Sequence, residues 1–119
     1  MPSGAYPVRV DADALAEDLA HTTPAGQDVG EALAGELSRG TFTGELRRCD
    51  PEGRDGTRLG GCVKTYLPPP AGPWGAVFEI RRDDSGVYLA FLAFGRRHPE
   101  QPWRPSVYRV ADRRLHPAT

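Results

Sequence analysis

The chain has 119 residues, 39% of them hydrophobic and 26% charged, with a formal net charge of −1. That length supports one modest core and excludes two, so a single domain over 1–119 is expected. No apolar run nears the ~20 residues of a membrane span, and MPSGAYPVRV lacks the apolar centre of a signal peptide, which predicts a cytoplasmic protein with no membrane partner.

Residues 6–10, YPVRV, alternate weakly and predict a short strand, with Pro7 suited to an edge. Asp11 or Asp13 then offers a helix N-cap, and ADALAEDLAH sets Leu15 and Leu19 one turn apart. TTPAGQ interrupts with Pro24 and Gly26. A second helix follows in which Val29, Leu33 and Leu37 recur at four-residue spacing, with Gly40 at its C-terminal cap. These two predict an acidic helical hairpin with one buried face. From 41 to 61 the periodicity disappears, leaving a loop with a short strand around 42–46.

The rest predicts β-structure. CVKTYL places Lys64 and Tyr66 on one face and Val63, Thr65 and Leu67 on the other. PPPAGP is a stiff connection, GAVFEIRR alternates again, and DDSG makes the turn into GVYLAFLAFGRR, which is apolar on both faces and so belongs at the centre of a covered sheet. Glu79 and Arg81 share a face and are expected to form an ion pair of little energetic weight. Prolines 99, 102 and 105 punctuate a loop before a last helix capped by Ser106, with Val107, Val110 and Leu115 toward one side. The expected fold is α+β: a small antiparallel sheet packed against an N-terminal two-helix hairpin, with a short C-terminal helix.

Charge is unevenly spread. Residues 1–40 hold Asp11, Asp13, Glu17, Asp18, Asp28, Glu31 and Glu36 against Arg9 and Arg39, whereas residues 90–119 hold Arg96, Arg97, Arg104, Arg109, Arg113 and Arg114 against Glu100 and Asp112. A basic surface built by the last third would meet phosphates or an acidic protein. Cys49 and Cys62 form no CxxC pair and are too few for a disulfide framework or a zinc site, so free thiols and no metal are expected.

The order of elements, the opening YPVRVDADALAEDLA, the lysine-bearing CVKTYL and the closing LAFGRRHP followed by SVYRVADRRL resemble the RelE/ParE family of bacterial toxin-antitoxin systems. The resemblance implies a toxin with a cognate antitoxin protein as partner. In the RelE branch it implies a metal-independent endoribonuclease, without cofactor, that cuts mRNA on the ribosome; in the ParE branch, an inhibitor of DNA gyrase that cuts nothing. Lys64 matches the family's catalytic-strand lysine, Arg97 the arginine after the core strand, and Tyr108 the tyrosine of the Val-Tyr segment. The chain departs from the pattern at Gly75, where many nuclease members carry arginine, at Tyr66 in place of a second lysine, and in the insertion HPEQPWRP.

Cutting RNA without a metal requires the ribose 2′-hydroxyl to attack its own phosphate, which calls for a base, an acid and cations. Arg96 or Arg97, presented where a rigid strand ends, offers planar donors to phosphate. Lys64 acts as base where neighbouring guanidinium groups disfavour its charged form, and otherwise neutralises phosphate. His98 is the alternative proton carrier, since imidazoles exchange protons near cellular pH. Tyr108 stacks on a base or donates its hydroxyl. Arg81 and Arg104 are further phosphate candidates, and Trp103 is either a stacking surface or, like Trp74, a cover for the core. Three functions compete: an RNase toxin, a gyrase binder without chemistry, and an interaction protein that has lost toxicity.

Overall fold

The structure, a computed structural model, describes residues 4–117. Its elements run β1 (Tyr6–Arg9), α1 (Ala12–Ala20), α2 (Pro24–Leu37), β2 (Thr41–Phe42), β3 (Arg47–Arg48), β4 (Cys62–Leu67), β5 (Trp74–Asp83), β6 (Gly86–Arg96) and α3 (Val107–Leu115). Local chemistry sets most boundaries. Asp11 caps α1 by accepting from the backbone of Asp13 and Ala14, Thr23 caps α2 with Pro24 in its first turn, and Ser106 caps α3 by accepting from Arg109 N. TTPAGQ, expected as an interruption, is therefore largely the start of α2. Gly40, at φ 79°, takes the left-handed conformation that turns the chain from α2 into β2.

The strands form one six-stranded sheet in the order β2-β1-β6-β5-β4-β3. It is mixed: β1 runs parallel to β6, with Val8 opposite Leu89, while the other pairs are antiparallel. The three helices cover two faces. Leu33 and Leu37, with Leu15, Leu19 and Val29 beside them, join Trp74, Phe78, Phe91 and Phe94 in one core. Val107 and Ala111 of α3 meet Val77, Leu92 and Ala93 in the other. This corrects the expected two-helix hairpin on a small antiparallel sheet. Alternation within a strand says which residues share a face but not which distant strand it joins, and β2 and β3 are too short to show a period.

β6 is buried on both faces because packed side chains cover both, and a bulge shifts which of its residues face each core. Val77 pairs with Ala93 but Phe78 with Phe91, so Leu92 is the extra residue. Phe91 and Phe94 consequently face one core, Leu92 and Ala93 the other.

β1 covers β6 only at Leu89 and Ala90, which leaves the backbone of the following residues without a strand partner on that side. Two side chains take its place. Asp18 of α1 accepts a hydrogen bond from Phe94 N at 2.8 Å, and Arg114 of α3 donates to Leu92 O at 2.7 Å. The two are also paired to each other, Arg114 Nη1 and Nη2 each lying 2.8 Å from an Asp18 carboxylate oxygen. The bond to Asp18 favours the charged Arg114 against the opposing cost of its burial. The Asp18 side chain is 7% exposed, so its removal leaves the buried Phe94 N without its acceptor and Arg114 with only Glu17, 3.6 Å away, as an acidic neighbour, at a typical cost of about 3 kcal/mol. Asp18→Ala is therefore expected to destabilise the fold by about 3 kcal/mol, and the added Arg114→Met to recover part of that loss, in a urea-denaturation double-mutant cycle.

Candidate active site

Tyr66 of β4 pairs with Gly75 of β5, which pairs in turn with Gly95 of β6, so the sheet beside the tyrosine ring carries no side chain. Arg97 uses that space. Its backbone N–H donates to Pro73 O at 2.9 Å, extending the β5–β6 ladder by one step and turning its side chain toward the face of Gly95. A Cβ on Gly75 would lie 3.1 Å from Arg97 Cγ and 3.2 Å from Thr65 O, closer than ordinary packing. Gly75 is thus what admits Arg97.

The guanidinium is held on three sides. Its carbon sits 3.7 Å from the centre of the Tyr66 ring, Nη1 donates to Gly72 O at 3.0 Å, and Nε donates to Tyr108 Oη at 3.3 Å. Nη2 is not used in these bonds and can donate to a ligand. Because Tyr108 Oη accepts from Arg97, its own hydroxyl proton is also left to be given. Lys64, two residues before Tyr66 on the same face, has its amine 5.1 Å from the Tyr108 ring centre and 5.7 Å from that of Tyr66. Arg47, opposite Lys64 on β3, lies 5.1 Å from the Tyr66 ring centre. Two phenol rings therefore gather three cations, and none of these cations forms an ion pair with a carboxylate among the described residues.

Lys64, Arg97, His98, Arg104 and Tyr108 line one open cleft of about 550 Å³. His98 is exposed at the end of β6. Opposite them the loop after β3 supplies Cys49, Asp50 and Asp55. Burial pushes the Cys49 thiol up to about 11, against a smaller opposing pull from Lys64, and the Cys62 thiol up to about 12. Both are buried free thiols, unreactive in that state. Burial raises the Asp55 carboxyl less than the hydrogen bonds from Thr57 N and Oγ1 lower it, so it stays below the usual carboxylate range. Arg109 of α3 donates to Asp55 O at 2.7 Å and ties this loop to the helix that carries Tyr108. Among the described residues no cluster of His, Cys, Asp or Glu has the make-up to hold a metal ion.

Other candidates go elsewhere. Arg96 projects to the opposite face from Arg97, 5.2 Å from the Trp74 ring centre. Arg81 is bonded to Glu79 on the same strand, outside the cleft. Trp74 is buried and stacked on Phe94, as a core cover should be. Trp103 is 78% exposed, which rules out the same role for it. Sequence alone assigns Tyr66, Gly75 and Arg47 no role in a site: Tyr66 and Gly75 stand out only as departures from the RelE/ParE pattern, and Arg47 lies in a stretch without periodicity. Their signal is geometric: Tyr66 sits two residues from Lys64 and so shares its face.

Fold and site together define a small mixed-sheet protein with a cationic, tyrosine-lined cleft. No protein family, no curated protein and no solved structure matches the chain. Gly75→Ala is expected to push Arg97 off the Tyr66 ring and to cost about 1 kcal/mol, within the range for modest overpacking, as read from chemical denaturation and from the variant's crystal structure.

Proposed function

We propose that this protein is a cytoplasmic, metal-independent endoribonuclease, the toxin of a toxin-antitoxin pair, as its likeness to the RelE branch implies. One observation supports the reading above others: Lys64, Arg97, His98 and Tyr108 meet in a single open cleft whose cations lack carboxylate partners. An arginine that closed a strand only to reach solvent would not be stacked and bonded on three sides.

A phosphodiester seated there places its non-bridging oxygens against Arg97 Nη2 and the Lys64 amine. The adjoining 2′-oxygen attacks phosphorus in line and loses its proton to His98 at the rim of the cleft. The bond from phosphorus to the 5′-oxygen breaks, and the Tyr108 hydroxyl protonates that leaving oxygen. The products are a 2′,3′-cyclic phosphate and a 5′-hydroxyl, so no water or metal is consumed. Arg97 stabilises the charge that grows on the phosphoryl oxygens, and its fixed position means little reorganisation is needed as the charge appears. The antitoxin, an acidic chain, would act by covering this cleft.

Expression of the wild type is expected to arrest growth, and Arg97→Ala and Tyr108→Phe are expected to relieve the arrest. Cleavage of RNA in vitro should resist EDTA, stop with a 2′-deoxy sugar at the cut, and slow by about 10²-fold or more in either variant. Full toxicity in both variants would remove the proposed site.

A further inference from the structure

Arg96 and Arg97 are consecutive residues at the end of a β-strand, and alternation sends them to opposite faces. Arg97 enters the cleft described above, while Arg96 enters a second groove of about 1310 Å³ that runs past the sheet edge between α1 and α3. Trp74, Phe94, the end of α1 and one side of α3, with the half-buried Val110 and the exposed Arg113, line it. The loop 98–105 is a ridge between the two, since Pro99, Gln101 and Arg104 line both.

We propose that this second groove takes the continuation of the RNA strand cut in the first. The substrate is then an unpaired strand several nucleotides long, draped over the loop 98–105, rather than a dinucleotide held at the cleft alone. The inference rests on the endoribonuclease reading and extends it to the form of the substrate. Charge is the first support. Arg96, Arg104 and Arg113 form no ion pair among the described residues, whereas the acids Asp18 and Glu17 face Arg114, which leaves Glu100 as the one unpaired acid lining the groove. The exposed Trp103 on the ridge is the second. An aromatic ring in solvent, next to an arginine and on the loop between the two clefts, suits a nucleobase stacked while its backbone crosses. An acidic peptide would use the arginines but has no need of the ring. Stacking on Trp103 requires an unpaired base, which selects single strands over duplex.

The test uses the full chain and all-2′-O-methyl RNA, which binds without being cut, in lengths of about three and about ten nucleotides. Fluorescence anisotropy is expected to show the longer RNA binding at least about tenfold more tightly. Trp103→Ala should remove most of that difference. Arg113→Ala should weaken the longer RNA several-fold and lower its salt dependence by about one counterion, with cleavage of an unmodified trinucleotide unchanged. Equal affinity for both lengths, or an unaltered affinity of Arg113→Ala for the longer RNA, overturns the proposal. So does an Arg113→Ala variant that keeps its RNA affinity but loses a twelve-residue Asp/Glu-rich peptide, because the groove is then a protein-docking site. Length-dependent binding without cleavage of any RNA would instead sink the nuclease reading and leave the strand-binding groove standing.

Discussion

The structure turns on how an incomplete strand neighbour is replaced. β6 is the spine of the sheet, yet β1 pairs with it only at Leu89 and Ala90, and the residues beyond would present open backbone groups to the interior. A buried, unpaired peptide group is costly enough that some partner must be found. Asp18 and Arg114 supply it, one from each helical layer, and their mutual pairing joins α1 to α3 across the strand edge. The position of α3 follows, and with it that of Tyr108. The same strand end carries Arg96 and Arg97. A surface ion pair would not fix these elements, being worth little and easily rearranged, whereas a pair with additional backbone bonds has one geometry.

The cleft inherits that rigidity in a particular way. Arg97 has no acidic partner; a tyrosine face, a tyrosine oxygen and a backbone carbonyl hold it instead. Such neighbours orient a guanidinium without cancelling its charge, which remains available to an anion. The two glycines beside Tyr66 are the structural condition for this, since the arginine stem lies where a side chain on Gly75 would stand. A cation held in place before its ligand arrives needs little rearrangement when charge develops on a phosphate.

Much of this was legible in the residues themselves. Helix starts were announced by Asp11 or Asp13 and by Ser106, the shared face of Lys64 and Tyr66 by simple alternation, and the double burial of β6 by its unbroken apolar run. The mixed topology was not legible, because nothing in YPVRV says that its partner is the last strand rather than a neighbour. Nor was the bulge at Leu92, since shifting one apolar residue among several leaves the pattern unchanged. Asp18 reads as one more acid on a solvated helix, and only the open edge of β6 explains its burial. Trp103 shows the converse: a large aromatic residue is expected inside, and this one stands on a proline-rich loop in solvent.

The central claim is that a strand end, an amine and a phenol form a seat for one phosphodiester. The most direct measurement is a crystal structure of the protein with a trinucleotide RNA whose 2′-hydroxyl is replaced by hydrogen at the position of attack. A phosphate is expected within hydrogen-bonding distance of both Arg97 Nη2 and Lys64 Nζ, with the 5′-oxygen toward Tyr108 Oη. A trinucleotide bound with no phosphate between those groups, or an Arg97 turned away from Tyr66 to reach it, would contradict the account.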